Sequence, residues 1–254
     1  MLEPTQQPLY GGVLLKAKDI LDFILESDTP PSLKEISDNV PMTKSTVYKI
    51  LQTLEYVGFV RCLGEDKRYY LGTVFLSYAQ KTLGTFDINL VAQPYLAKLR
   101  DITNETVNLG ILDSDEVVLL AKLESPNSVN LVSRIGKGMM LYSSAMGKAI
   151  LSTYPAVKLN QYLATTKLVP LTANTITDKQ KLKANIQLTQ EQGYAIENSE
   201  NQQDIFCVGF PLVKNNRIYG AFSVSAPRYR VKQANLDLFI KEGRKAQQGI
   251  LAAI

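Results

Sequence analysis

The spacing of apolar residues constrains the fold of this 254-residue chain most, because it changes from a helical period to a period of two. The segment from Val13 to Glu26 repeats apolar residues at helical spacing, and Thr29-Pro30-Pro31 ends the helix that this predicts. Ser32 followed by Glu35 is a capping box, which predicts that a second, short helix begins there. The apolar positions of the first predicted helix are Leu14, Ala17, Leu21, Ile24 and Leu25.

A third helix and a hairpin are predicted next. Thr43 is a suitable N-cap, and Gly58 is a suitable stop. Between them, one apolar stripe has the spacing of a buried helix face, with Val47, Ile50, Leu51, Leu54 and Val57. The runs Phe59 to Leu63 and Arg68 to Leu71, joined by a short charged loop, predict a β-hairpin. This order of elements predicts a winged helix-turn-helix over residues 10–72.

The remainder of the chain predicts a second domain. Val74 to Leu83 is helical and would form a linker over residues 73–86, with a boundary near Gly84-Thr85. Residues 87–254 predict an α+β domain in which helices flank an antiparallel sheet. Its predicted strands are Thr106–Leu112, Val117–Leu123, Val129–Ile135, Tyr194–Ile196, Phe206–Val213 and Tyr219–Ser225. Its predicted helices are Ile88–Ile102, Ser144–Thr153, Asp178–Gln192 with a cap at Thr177, and Val231–Ile254.

Composition narrows the possible chemistry. The chain has no histidine, so any metal or nucleophile arrangement that needs an imidazole is excluded. Its two cysteines, Cys62 and Cys207, lie far apart, which favours a reducing compartment over a disulfide framework. The first ten residues do not resemble a signal peptide, and no apolar run would span a bilayer. We therefore expect a soluble, cytoplasmic protein without a membrane partner, a metal or a cofactor.

Charge is distributed in a way that favours local contact with DNA. Residues 1–75 hold 8 basic and 10 acidic side chains, so the first domain carries a balance of −2. One face of the third predicted helix is nevertheless free of acids until Glu55, and short hydroxyls there allow a close approach to base edges. The candidate DNA-binding residues on this helix are Lys44, Ser45, Thr46, Tyr48, Lys49 and Gln52. Lys67 and Arg68, near the hairpin tip, are candidates for contact with phosphates. The alternative is an ordinary solvated helix face.

A possible small-molecule site lies in the second domain. Ser223 and Ser225 are two apart in a predicted strand, so their hydroxyls face one side, near the strand that holds Cys207. The helix that begins at Ser144 would aim backbone N–H groups at the same space, which favours a small carboxylic acid as ligand. Without a resemblance to guide the choice, an exposed strand face or a satisfied buried pair of serines is the stronger interpretation. A buried, inert Cys207 is favoured over a nucleophile.

The sequence resembles the IclR family of bacterial transcriptional regulators at several places that occur in order. In the first domain these are Ser45 to Leu51, Gly58-Phe59-Val60 and Arg68 to Gly72. In the second domain they include Asn104 to Val107, Ser144 to Ala149, Gln192 to Ala195 and Ala221 to Pro227. The resemblance implies that the first domain binds double-stranded operator DNA and that a GAF-like second domain binds a small organic acid effector. It also implies a homodimer or homotetramer.

Effector residues can be assigned by the same resemblance, position by position. They are Met139, Ala145, Met146, Glu197, Ile205, Cys207, Ser223 and Ser225. Glu197 stands where the family commonly has the shorter Asp, and Asp204 stands where a glycine is usual. Lys49 replaces a more usual Arg, which loses the bidentate fork that recognises guanine. Ligand identity and operator sequence are therefore not fixed by the resemblance.

Two alternatives come from other classes of protein. One is a small-acid hydrolase or transferase with an appended winged helix, against which the missing histidine and the lack of a nucleophile elbow both weigh. The other is an oligomerisation module that binds no metabolite.

Overall fold

The computed structural model describes residues 10–83, 87–127 and 133–254, which form two compact units divided at Thr85 and Phe86. The N-terminal unit contains α1 (Gly12–Glu26), α2 (Leu33–Asn39), α3 (Lys44–Tyr56), β1 (Val60–Leu63), β2 (Arg68–Leu71) and α4 (Val74–Leu83). The predicted boundary at Gly84-Thr85 lies outside the described residues. No helix in the described ranges has the length and apolar character needed to cross a membrane.

Local signals begin and end the helices of the N-terminal unit. The Ser32 hydroxyl accepts the Glu35 backbone N–H at 3.3 Å, and the Glu35 carboxylate accepts the Ser32 N–H at 2.7 Å. This capping box begins α2, as predicted. Thr43 caps α3 by accepting the Thr46 N–H at 3.3 Å, and Gly58 follows α3 with a φ of 79°. These local hydrogen bonds explain why α2 and α3 start where the sequence predicts.

The core of the N-terminal unit forms where α1, α2 and α3 meet the hairpin. Its most deeply buried residues include Ile20, Ile36, Val47 and Leu51. The predicted face of α1 was wrong in detail, since Leu14 and Leu25 are 72% and 58% exposed. Val57, predicted to end the buried stripe of α3, is also exposed. All three exposed side chains line one apolar groove of this unit, beside the core rather than inside it.

The aromatic ring of Phe59 connects the hairpin to α4. Its centroid lies 5.1 Å from that of Phe75 and 6.0 Å from that of Tyr78. Such tilted and edge-to-face contacts are the favoured arrangements of aromatic pairs. Leu76, between these two aromatic residues in the chain, is 72% exposed. The helix predicted as a linker therefore packs, through its aromatic residues, on the N-terminal unit.

The C-terminal unit is a curled antiparallel sheet with helices. Its elements are α5 (Asp87–Thr103), β3 (Thr106–Asp113), β4 (Glu116–Leu123), β5 (Gly138–Met140), α6 (Ala145–Leu151), α7 (Ala156–Thr165), α8 (Lys179–Gln192), β6 (Ala195–Asn198), β7 (Ile205–Lys214), β8 (Arg217–Pro227) and α9 (Gln233–Ala253). Among the described residues the strand order is β5-β4-β3-β8-β7-β6, and neighbouring strands pair antiparallel. The fold class is therefore α+β, as predicted.

Several predicted elements differ from the structure. Residues 129–132 of the predicted strand Val129–Ile135 lie outside the described residues, Ser133 to Ile135 are not extended, and the edge strand is β5. Asp178, not Thr177, caps α8, because its carboxylate accepts the Lys181 N–H at 2.8 Å. Helix α7 was not predicted at all. In α5, Leu90 is 73% exposed while Ile88, Ala92, Leu96 and Leu99 form the buried face.

Helix α6 is buried along its whole length, which brings it close to the sheet. Gly209 on β7 allows this approach, because a Cβ there would lie 2.4 Å from the Ala145 carbonyl oxygen. A Cβ on Gly147 would likewise lie 2.4 Å from the Leu141 backbone. Gly209 thus lets the beginning of α6 lie against the strand that carries Cys207, and Gly147 lets the helix lie against the backbone of Leu141.

Candidate nucleic-acid interface and ligand cavity

The outer face of α3 is exposed and free of acids over most of its length. Ser45, Lys49 and Gln52 are spaced at four and three residues, so they share one side of the helix, opposite the buried stripe. Lys44 and Tyr48 are exposed beside them, and Tyr48 is 46% exposed. The six candidates on α3 thus lie on or beside one surface, although Thr46 is half-buried.

Hydrogen bonds within α3 arrange part of this surface. The Gln52 Nε2 donates to the Tyr48 hydroxyl at 3.1 Å, and the Thr46 and Thr43 hydroxyls lie 2.9 Å apart. Tyr56 was missed by the sequence reasoning, although it continues the face four residues beyond Gln52 and is 90% exposed. The signal that could have found it is the same spacing, extended by one turn.

The two remaining candidates, Lys67 and Arg68, lie in the hairpin formed by β1 and β2, which is the wing, and they differ in their contacts. Lys67 is exposed in the hairpin loop, with a φ of 50°. Arg68 is instead paired twice, with Glu35 Oε2 at 2.7 Å from its Nη1 and Asp66 Oδ2 at 2.8 Å from its Nε. These contacts raise the pKa of the Arg68 guanidinium, first through the hydrogen bond that it donates to Asp66 and then through the charge of Glu35. Arg68 therefore ties the wing to the beginning of α2, and two carboxylates offset its charge.

A cavity of about 570 Å³ lies in the C-terminal unit. Its size is in the range of roughly 300–1,000 Å³ that is typical of small-molecule sites. The structure brings all eight predicted effector residues to its wall: Met139, Ala145, Met146, Glu197, Ile205, Cys207, Ser223 and Ser225. The wall also contains polar residues that the sequence reasoning missed, including Asn108, Ser133, Arg134, Lys137 and Asn201.

A chain of polar contacts crosses the floor of this cavity. The Ser223 and Ser225 hydroxyls lie 3.2 Å apart, and Asn108 Nδ2 donates to Ser225 Oγ at 3.2 Å. The Ser133 hydroxyl donates to Asn108 Oδ1 at 3.3 Å. A hydroxyl group has one donor and two acceptor positions, so Ser223, which is paired with Ser225, keeps capacity for a ligand. Ser225 is also hydrogen-bonded to Cys207, so its three positions are used within the protein. Asn108 could have been found because it is in register with Ser223.

Glu197 and Cys207 continue this polar chain. They face each other in the register of β6 and β7, and Cys207 is in turn opposite Ser225. The Glu197 Oε1 accepts backbone N–H groups from Glu200 at 2.6 Å and Asn201 at 3.1 Å. Burial nevertheless raises the pKa of Glu197 to about 7, against the effect of those hydrogen bonds.

Cys207, predicted to be buried, is half-buried in the cavity wall, and its surroundings disfavour a nucleophilic thiolate. Burial is the largest cause that raises the pKa of Cys207 well above its ordinary value, followed by the charge of Glu197. A nucleophilic cysteine needs the opposite shift. Lys148, a lysine of α6, is fully buried and donates to Glu200 Oε1 at 2.6 Å, so it is not available as a base for the thiol.

The beginning of α6 offers fewer free N–H groups than the sequence predicted. The Ser144 hydroxyl accepts the Gly147 N–H at 3.1 Å, so that donor is already used. The Ser144 hydroxyl itself donates to the Met140 carbonyl at 3.0 Å. In the described ranges no group of acidic, cysteine or histidine side chains could hold a metal ion.

In this protein a capped helix with an outer face that has no acid before Glu55 lies inside a winged helix-turn-helix. This arrangement is typical of DNA-binding regulators. The model of the IclR helix-turn-helix domain matches residues 13–63, and that of the bacterial transcriptional regulator IclR C-terminal domain matches residues 80–251. The chain belongs to the IclR family. This membership makes it a transcriptional regulator rather than an enzyme, which removes the hydrolase or transferase alternative.

Individual relatives agree with this assignment. The chain is 30% identical over 240 residues to the transcriptional regulator XynR of Escherichia coli, covering 94% of this chain and 95% of that protein. The crystal structure of the Thermotoga maritima IclR superimposes with a TM-score of 0.81 at 34% identity, covering 96% of this chain and 98% of that one. An IclR homologue from Microbacterium hydrocarbonoxydans, in complex with 4-hydroxybenzoate, shares the fold with a TM-score of 0.76 at 19% identity, covering 94% and 98%.

Proposed function

We propose that this regulator binds operator DNA through the outer face of α3 and that a small carboxylic acid in the C-terminal cavity modulates this binding. The observation that carries the DNA-binding part is the exposed face of α3, where Lys44 and Lys49 lie on a helix that carries no acidic residue before Glu55. Acidic side chains there would be repelled by phosphate, whereas lysines release counterions on binding. Lys67 would add a phosphate contact from the wing.

The effector part is supported by the cavity. Met139, Met146 and Ile205 supply an apolar wall, and Ser223 and Ser225 supply uncharged hydrogen-bonding groups. Arg134 and Lys137 also line the cavity and favour an anionic ligand. A relative of the same fold holds an aromatic carboxylate, 4-hydroxybenzoate. A small carboxylic acid is therefore the ligand class that we assign.

Regulation would act on paired copies of the chain. A homodimer or homotetramer would place two α3 helices in half-sites about one helical turn apart, or a multiple of it. Effector binding would change their spacing or orientation through α4. Such a regulator acts in the cytoplasm, where its operator is.

The DNA-binding part is tested with operator duplexes selected from a random pool. The Lys44→Ala/Lys49→Ala variant should show a flatter dependence of log affinity on log salt, with the slope reduced by about 0.9 per lost phosphate contact. Lys181→Ala/Lys241→Ala is the matched control, because both lysines are exposed on helices of the C-terminal unit. An unchanged slope in the α3 variant contradicts the proposal.

The effector part is tested by a thermal-shift screen of organic acids, aromatic acids and sugars. A ligand that binds only the folded protein raises its melting temperature. Stabilisation by a small acid that is lost in Ser223→Ala, but kept in the control Ser37→Ala in the N-terminal unit, supports the site. It also excludes the alternative of a pure oligomerisation module. No stabilisation by any acid contradicts this part.

A further inference from the structure

Glu197 is a buried carboxyl group in the wall of a cavity that otherwise favours anions. Glu197 is only 2% exposed, and it lines the cavity together with Cys207 and Ser225. An anionic ligand in this space would meet a like charge if Glu197 were ionised. Repulsion between like charges is large where water is excluded, so the protonation state of Glu197 matters for such a ligand.

The charged neighbours of Glu197 do not neutralise it. Glu200 follows β6, and its carboxylate is paired with Lys148 of α6, which leaves that pair without net charge. From β7 the facing group is Cys207, and from α8 the buried residues are Leu182, Ile186 and Thr189, none of them charged. Arg134 and Lys137 line the cavity and supply its positive charge.

The hydrogen bonds of Glu197 leave a position for a proton. Both backbone N–H groups, from Glu200 and Asn201, donate to Oε1, and the Cys207 side chain is a further hydrogen-bonding partner of the carboxyl group. A neutral carboxyl group therefore keeps the two backbone contacts while it carries its proton on Oε2. In that form it is a donor, and a carboxylate ligand is an acceptor only. Burial raises the pKa of Glu197 to about 7, so both forms are accessible near neutral pH.

We propose that binding of an anionic effector is coupled to the uptake of one proton. Glu197 takes this proton from solvent and, in its neutral form, donates a hydrogen bond to the effector carboxylate. This inference rests on the proposed effector-binding function and adds a selectivity to it. The ionised form of Glu197 repels a carboxylate and accepts a hydrogen bond from a neutral donor such as a primary amide. The cavity thus senses a carboxylic acid and pH jointly, without a histidine.

The pH dependence of ligand affinity tests this proposal. The probes are benzoate, 4-hydroxybenzoate, pyruvate and gluconate, each paired with its neutral primary amide, and titrated calorimetrically into the full chain. For a carboxylate that binds, the dissociation constant should rise roughly tenfold between pH 6 and pH 8 as Glu197 loses its proton. The corresponding amide should show no loss of affinity over this range. Binding of the carboxylate at pH 8 should take up close to one proton, measured from the enthalpy in buffers of different ionisation heat.

The variant Glu197→Gln separates this proposal from the function on which it rests. Its amide keeps an oxygen for the two backbone donors and offers a fixed N–H donor to the ligand. Carboxylate affinity in this variant should be constant from pH 6 to pH 8, while Glu191→Gln, an exposed acid of α8, should retain the wild-type dependence. Carboxylate binding with the same pH dependence in wild type and Glu197→Gln overturns the proposal alone. Failure of all four carboxylates to bind at either pH overturns the effector part of the proposed function and this inference with it.

Discussion

Lys148 Nζ lies 2.6 Å from Glu200 Oε1, in an ion pair whose side chains are 0% and 8% exposed. The pair joins α6 to the turn after β6, and the Glu200 backbone N–H in turn donates to Glu197. The second carboxylate oxygen of Glu200 is buried without a hydrogen-bond partner in the structure. Removal of either partner would therefore leave an uncompensated charge beside the cavity.

The first prediction concerns this ion pair. Lys148→Met and Glu200→Gln should each lower the free energy of unfolding by about 3–5 kcal/mol, because each leaves the other charged group buried without its ion-pair partner. The double variant Lys148→Met/Glu200→Gln should lose much less than the sum of the two single losses. Urea denaturation of the four proteins measures the coupling, and additive losses would show that the pair does not interact.

The second prediction concerns the effect of pH on stability. The folded pKa of Glu197 is raised to about 7 from 4.5, so between these values the folded chain holds a proton that the unfolded chain has lost. Stability therefore falls as pH rises from about 4.5 to about 7. Glu197→Gln should be more stable than wild type at pH 8, by up to about 3 kcal/mol, and equal to it at pH 4. A difference between the two that does not change with pH would contradict the raised pKa.

The third prediction distinguishes the two cations of the wing. Lys67→Ala should flatten the salt dependence of operator binding and leave the melting temperature unchanged, because Lys67 is exposed in the loop. Arg68→Ala should lower the melting temperature, since it removes the contacts with Glu35 and Asp66. Its effect on the salt dependence should be smaller than that of Lys67→Ala. If Arg68→Ala flattens the salt dependence of operator binding more than Lys67→Ala does, the prediction is wrong and Arg68 contacts the phosphates.

The fourth prediction concerns the contact between α6 and β7. Gly209→Ala adds a Cβ that would lie 2.4 Å from the Ala145 carbonyl oxygen, so α6 must shift and the protein should lose about 1–3 kcal/mol of stability. Because the same contact borders the cavity, we also expect ligand-induced stabilisation to be lost. Gly12→Ala is the control, since nothing lies within 4 Å of its added Cβ. Equal melting temperatures for the two variants would contradict the close approach.

Helix boundaries were predictable where a local signal fixes them. The capping box at Ser32 and Glu35 and the N-cap at Thr43 satisfy backbone donors within a few residues, so the sequence alone reveals them. Buried faces were less predictable where apolar residues surround the helix. In α1 the sequence offered Leu14 and Leu25 as core residues, but Ile20 is the fully buried one. The partner surfaces decide which side of such a helix is covered.

The fold class and the residues of the candidate sites follow from the sequence, because periodicity and capping are local and the family resemblance assigns positions. Only the tertiary structure places Asn108, Ser225, Cys207 and Glu197 in one polar chain, since it sets the register of the four strands and brings β3 beside β8, from which it is distant in sequence. It likewise decides that Arg68 is paired and that Glu197 is buried. Pairing and burial depend on long-range packing, and they set the charge that each group can carry.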